Sequence, residues 1–136
     1  MVDQINLDKT ARNAASVRAG YEAFGRGDLG EVAKNFDPAI RWHLLLPGPL
    51  GGDYVGKEQV LNFLKELAKR SAGTFRMDVA DVLASETQAA VDVRVTARRG
   101  EKTLDSHQVH LFRYDAERIV EVWQFVDDAA HAGFWA

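Results

Sequence analysis

The rhythm of apolar and polar positions changes once along this chain, near Gly73, and that change predicts most of the architecture. Before it, apolar residues recur at helical spacing. Ala14, Val17, Tyr21 and Phe24 fall three and four apart, which is one face of a helix. Asp8 offers that helix an N-cap, residues 1–8 read as a loose leader, and Gly25 and Gly27 end the helix. Asp28 starts a second, short helix with Glu31 completing a capping box, and Asp37-Pro38 stops it. A third helix spans about 57–70, where Val60, Leu61, Phe63, Leu64, Leu67 and Ala68 form a broad apolar stripe. One strand, 39–46, interrupts this half. The stretch Pro47-Gly48-Pro49-Leu50-Gly51-Gly52 after it is a loop.

After Gly73 the period is two. Phe75, Met77 and Val79 alternate with Arg76, Asp78 and Ala80, and Val91, Val93, Val95 and Ala97 alternate with Asp92, Arg94, Thr96 and Arg98. Two more strands, about 103–114 and 118–127, meet at a tight turn around Asp115-Ala116-Glu117. The tail from Asp128 to Ala136 is expected to turn back and tuck Phe134 and Trp135 onto the body. Successive strands on short turns pair antiparallel, and the helices must cover one face of the sheet. The expectation is therefore one α+β domain over residues 1–136. It has a curved antiparallel sheet with three helices on its concave side, enclosing a cone-shaped space of the kind that holds ligands.

Charge and composition narrow the function by exclusion. The net charge is −3 and the charges are interspersed, so neither nucleic acid nor an anionic membrane is an expected partner. Arg98, Arg99 and Lys102 around Gly100 read as a solvated hairpin turn rather than a phosphate site. The absence of cysteine removes disulfides, thiolate nucleophiles, zinc fingers and iron–sulfur ligation. The N-terminal stretch lacks a signal peptide's basic start and apolar run, and no apolar run reaches the ~20 residues of a spanning helix. The chain reads as cytoplasmic. No His-x-His pair, nucleophile elbow or Gly-rich phosphate loop after a strand is present, so neither a metal nor a cofactor is expected.

Two histidines then stand out. His43 follows Trp42 in the first strand and His110 lies within Val109-His110-Leu111-Phe112. A titratable group on an apolar strand is costly to bury unless a partner or ligand satisfies it, which points to a lined cavity. His43 is either a base or a backbone partner of the 47–52 loop. His110 has apolar neighbours on both faces, so parity alone does not orient it. Gln124 shares a face with Val120, Val122 and Val126, where its amide would orient a carbonyl or hydroxyl. The opposite face carries Glu121, Trp123 and Phe125. Two large aromatics there need cover, from a second copy in a homodimer or from the C-terminal tail folding over Trp123. Tyr21 either points its hydroxyl into the cavity or packs with a wet tip. Asp92 and Arg94 fall outside, opposite the valine face, and His107 and His131 read as surface residues.

The run Tyr21-Glu22-Ala23-Phe24-Gly25-Arg26-Gly27-Asp28-Leu29, followed by Phe36-Asp37-Pro38-Ala39-Ile40-Arg41-Trp42-His43, resembles the opening of the nuclear transport factor 2-like superfamily. Within it the chain most resembles the SnoaL-like branch, named after a polyketide cyclase. Gly52-Asp53-Tyr54-Val55-Gly56-Lys57-Glu58 and Arg118-Ile119-Val120-Glu121-Val122-Trp123 extend the likeness to roughly residues 10–130. This fold hosts isomerases, cyclases, dehydratases, epoxide hydrolases and non-catalytic binders. The resemblance places His43 at the general-base aspartate of ketosteroid isomerase, and turns His110 inward, at that enzyme's protonated oxyanion-hole aspartate. Gln124 falls at the acid–base aspartate of SnoaL-type cyclases, and none of the three is a carboxylate here. Asp92 and Arg94 resemble the Asp/Arg pairing of limonene epoxide hydrolase.

The resulting expectation is a cofactor-independent isomerase, cyclase or dehydratase acting on a small, apolar, enolisable molecule. His43 would remove a proton, and His110 and Gln124 would donate to the oxyanion. Tyr21, Trp42, Phe112, Val122 and Val126 would form the walls. The alternative is a non-catalytic small-molecule binding or dimerisation module.

Overall fold

Strict alternation in the second half of the chain produces a four-strand meander. β3 (Arg76–Ala84), β4 (Gln88–Arg99), β5 (Lys102–Asp115) and β6 (Arg118–Phe125) follow one another on short turns. The computed structural model describes residues 4–131 and 133–136. On β4 the valine face points inward: Val91, Val93 and Val95 are fully buried, each stabilising the fold by about 1.5–3 kcal/mol. Asp92 and Arg94 point outward, where Arg94 makes a bidentate pair with Asp105 across the ladder and Asp92 bonds His107.

The first half supplies the cover. α1 (Gln4–Gly25) begins about a turn before the expected Asp8 cap, so residues 4–8 are helix rather than leader. The buried Asn13 donates to the carbonyls of Ser85 and Glu86 at 3.1 and 3.0 Å, pinning α1 across the β3–β4 turn. Asp28 caps α2 (Leu29–Val32) by accepting from the Glu31 amide at 3.1 Å, and a 3-10 turn, Ala33–Asn35, leads into β1 (Phe36–Leu45). α3 (Lys57–Arg70) buries Val60, Phe63, Leu64 and Leu67 beneath it. No helix among the described residues is long and apolar enough to cross a membrane.

The result is an α+β cone: a curved six-stranded sheet in the order β2-β1-β6-β5-β4-β3 with three helices over it. Two details differ from expectation. The loop after β1 returns as a short strand, β2 (Gly52–Val55), antiparallel to β1. The β1–β6 ladder is parallel, while the remaining ladders are antiparallel as expected. Within β6, Val120 has no partner in the register with β5, which runs from Arg113↔Glu121 to Tyr114↔Ile119. That bulge turns Ile119, rather than Val120, onto the face of Val122 and Gln124.

The tail folds back as predicted, and Phe134 and Trp135 are buried. It does not cover Trp123. Instead Arg99 donates to the carbonyls of Phe134 and Ala136 (2.6 and 3.1 Å), Lys102 to Gly133 (2.9 Å) and Arg70 to Trp135 (3.3 Å). The β4–β5 turn is the exposed hairpin expected, and two of its cations, Arg99 and Lys102, also clamp the tail. This docking also buries α4 (Asp128–His131) at His131, correcting its reading as a surface residue.

Candidate active site

Between α1, α2, α3 and the inner face of the sheet the cone encloses a cavity of about 160 Å³. A dry cavity of about 150 Å³ holds a benzene ring, so one six-membered ring fits here and anything longer extends through the mouth. Val17, Phe24, Phe36, Leu64, Leu67 and Met77 make most of the wall apolar. Glu31 and Lys34, solvent-exposed and 3.7 Å apart, mark the opening.

Asn35 donates to Ser16 at 3.1 Å on one part of this wall, and a second polar patch is drawn from four elements. Tyr21 reaches in from α1, Trp42 from β1, His110 from β5 and Gln124 from β6. The Tyr21 hydroxyl lies 2.5 Å from His110 Nδ1, with the two rings stacked at 5.9 Å. The Trp42 indole donates to Gln124 Oε1 at 2.7 Å, and Gln124 Nε2 lies 3.3 Å from His110 Nε2. Phe112 packs its ring edge-on against both Tyr21 and Trp42. Behind this patch, away from the cavity, His110 Nε2 meets the Gln108 amide at 2.7 Å. Gln108 in turn meets His131 Nε2 at 3.1 Å, and the Trp135 indole donates to His131 Nδ1 at 3.2 Å.

Electrostatics follow from burial. His110 is 1% exposed with no charged partner, and desolvation pushes its pKa down to about 3. The ring is a neutral hydrogen-bonding element at ordinary pH and neither a cation nor an effective base. Burial, and then the neighbouring Tyr114, hold the Tyr21 phenol well above its usual value, so Tyr21 keeps its proton. Among the described residues no group of three or more His, Cys, Asp or Glu is placed to hold a metal ion.

His43 is not part of this site. Ile40, Trp42 and Leu44 are buried alternately along the second half of β1, so the pleat sends His43 to the outer face of the sheet. There it stacks on Trp123 at 5.7 Å and lies 2.7 Å from both Asp53 and Glu121. Burial alone would lower the His43 pKa, but the two carboxylates outweigh it and the net shift is upward. Glu121, nearly buried, also accepts from Arg41 (3.2 Å) and Arg113 (2.9 Å); these cations and His43 outweigh burial and hold its carboxyl below the ordinary value. Two wall residues are corrected as well. Val122 is fully buried beneath the lining and Val126 packs against the core, and neither lines the cavity. Tyr21, Trp42, His110, Phe112 and Gln124 do.

The pattern of these positions along the chain has a counterpart in known proteins. Residues 17–122 match the sequence profile of the SnoaL-like domain. The chain belongs to the SnoaL-like domain family. It is 31% identical over 138 residues to the uncharacterised protein Rv0034 of Mycobacterium tuberculosis, with all of both chains covered. Among solved structures, this SnoaL-like chain is similar to Bal32a from a soil-derived mobile gene cassette. The identity is 30%, the TM-score 0.87, and 94% of this chain and 99% of Bal32a are covered. An NTF2-like protein from Burkholderia xenovorans shares the fold at 18% identity and a TM-score of 0.80, over 93% of this chain and 98% of its own.

Three residues of the site were not singled out by sequence reasoning. Gln108 was legible in principle, because it shares the buried face of β5 with Leu104, Ser106, His110 and Phe112. His131 carried no such signal, since its burial depends on the tail clamp. Glu31, noted only as a capping residue, also lines the cavity.

Proposed function

We propose that this chain takes up a small, mostly apolar molecule bearing one oxygen function and transfers a proton on it, as in isomerase, cyclase or dehydratase chemistry. The observation that carries this reading is the buried polar patch, Tyr21–His110–Gln124, in a mostly apolar cavity of one-ring size. The ring of the molecule would lie against Phe24, Leu64 and Met77, with its oxygen at Tyr21 and the Gln124 amide. Hydrogen bonds at that point stabilise an enolate more than its ketone, and one such donor is worth about 3–4 kcal/mol where it has been deleted elsewhere.

The base assigned to His43 must be replaced, because His43 lies on the other side of the sheet. Glu31 is the carboxylate among the described lining residues, and it takes that role here. Proton–deuterium exchange of enolisable cyclic ketones, followed by NMR in heavy water, tests the scheme. Exchange is expected to slow about tenfold or more in Tyr21→Phe and in Glu31→Gln. Exchange that is absent, or unchanged in both variants, overturns catalysis. Ligand uptake that persists in that case supports the second reading, a non-catalytic carrier, which the low basicity of the sealed His110 ring favours.

A homodimer through the outer sheet face belongs to the same proposal. Phe125 is 45% exposed and faces Leu45 on β1 and Val109 on β5, giving a continuous apolar patch beside Trp123. The charges of this face are paired within the chain, Glu121 with Arg41 and Arg113 and Asp53 with His43, so a second copy meets no unpaired carboxylate among them. Sedimentation of wild type and Phe125→Asp tests it: a dimer reduced to monomer is expected, and a wild-type monomer overturns it.

A further inference from the structure

A hydrogen-bond network between two tryptophans has few consistent proton arrangements, because an indole N–H only donates. Trp135 donates to His131 Nδ1, so the His131 ring hydrogen sits on Nε2. Trp42 donates to Gln124 Oε1, so the Gln124 end facing His110 is its NH₂ group. These two assignments meet at Gln108 and His110. With the Gln108 carbonyl toward His110, its NH₂ opposes the His131 Nε2–H at 3.1 Å, and His110 Nε2–H opposes the Gln124 NH₂ at 3.3 Å. Both are donor-against-donor contacts. Turning the amide end for end removes both, and amide orientation is an assignment made from the network.

The consistent arrangement then runs in one direction. His131 Nε2–H donates to the Gln108 carbonyl and, at 3.2 Å, to the Ser106 hydroxyl oxygen, whose own hydrogen is left for the Gln108 carbonyl at 3.4 Å. The Gln108 and Gln124 amides donate to His110 Nε2. His110 carries its hydrogen on Nδ1 and donates it to the Tyr21 oxygen at 2.5 Å. Tyr21 is left with its O–H directed into the cavity. The neutrality of the buried His110 ring is what allows one nitrogen to accept while the other donates.

We infer that the C-terminal segment is a positioning element for the cavity: Trp135 and His131, acting through Gln108, set the His110 tautomer so that Tyr21 presents a hydrogen-bond donor. The site therefore selects a ligand oxygen that accepts, such as a carbonyl, enolate or phenolate, over one that must donate. This rests on the proposed function only for the ligand. The tautomer is a property of the free protein.

Two measurements separate the two claims. Long-range ¹⁵N–¹H NMR of the imidazole rings reads the tautomer without any ligand. His110 is expected as Nδ1–H and His131 as Nε2–H, and a His110 Nε2–H tautomer overturns the inference. In Trp135→Phe, His131 loses the donor at Nδ1 and His110 is expected to become a mixture of tautomers; an unchanged Nδ1–H form overturns the role of the tail. Should that variant not fold, a hydrogen-bond coupling from Trp135 Nε1–H to His131 Nδ1 in wild type reads the same link, and its absence is equally decisive. For the ligand, 4-nitrophenol is the probe, because its ionisation is visible by absorbance. Bound probe is expected to ionise at least tenfold more readily than free probe, with the gain reduced in Trp135→Phe. Probe bound as the neutral phenol overturns the donor assignment. If the probe does not bind while the tautomers are as expected, the cavity reading fails and the positioning role stands.

Discussion

Burying a neutral histidine makes stability depend on acid in a calculable way. His110 has its pKa lowered from 6.5 to about 3 in the fold, whereas in the unfolded chain it regains its ordinary value. Below pH 6.5 the unfolded state binds a proton that the native state refuses, so stability falls as pH falls. Between pH 8 and pH 5 the loss from this one ring is about 2 kcal/mol, and it continues at about 1.4 kcal/mol per pH unit toward the folded value. His43 acts with the opposite sign. Its raised pKa contributes stability that is fully present below 6.5 and is lost as pH rises through the folded value. A bare pH profile mixes the two, so the comparison is between wild type and His110→Gln, both retaining His43. Urea unfolding at pH 8, 7, 6 and 5 gives the difference in free energy. Whatever the constant cost of the substitution, wild type is expected to lose about 2 kcal/mol relative to the variant across that range. A difference that stays constant with pH refutes the placement of His110 as a sealed, neutral ring.

The same environments give further expectations. By NMR, His110 does not titrate between pH 5 and 8, whereas His43 titrates with a midpoint above 6.5. Glu121→Gln lowers that midpoint and costs about 1–3 kcal/mol in urea unfolding near pH 6, by removing a nearly buried carboxylate shared by His43, Arg41 and Arg113. Because the Glu121 pKa is depressed, its contribution is present above 4.5 and lost as pH falls through the folded value. Gly51→Ala is expected to cost about 2 kcal/mol or more, since a Cβ there would lie 1.5 Å from the Leu46 carbonyl oxygen. Asp28→Ala removes the cap of α2 and costs about 1 kcal/mol of thermal or urea stability.

The fold was legible because its signals are local. The stripe of Val60, Phe63, Leu64 and Leu67 marks α3, and the valine alternation marks β4, independently of anything distant. The site was legible only where local pattern and chemistry agreed. On β5 apolarity left the faces ambiguous, and the inward orientation of His110 followed from the family resemblance rather than from the pattern. On β1 the alternation of Ile40, Trp42 and Leu44 already excluded His43 from the inside. The attraction of an ionisable residue overrode a clear period of two. The parallel pairing of β1 with β6 and the burial of His131 depend on segments far apart in sequence, and no window of sequence contains them.

That parallel ladder also carries an entropic cost. β1 lies inside the sheet, between β2 and β6, and its contact with β6 joins Arg41 to Glu121, 80 residues apart. On a ribosome, β1 emerges long before its neighbour exists, whereas β3 to β6 can zip hairpin by hairpin as each is made. Closing so large a loop is entropically costly, and contacts of high sequence separation slow folding. The β1–β6 seam therefore carries the largest loop-closure cost of the sheet, and the cavity floor where Trp42 meets Gln124 exists only once that seam is closed.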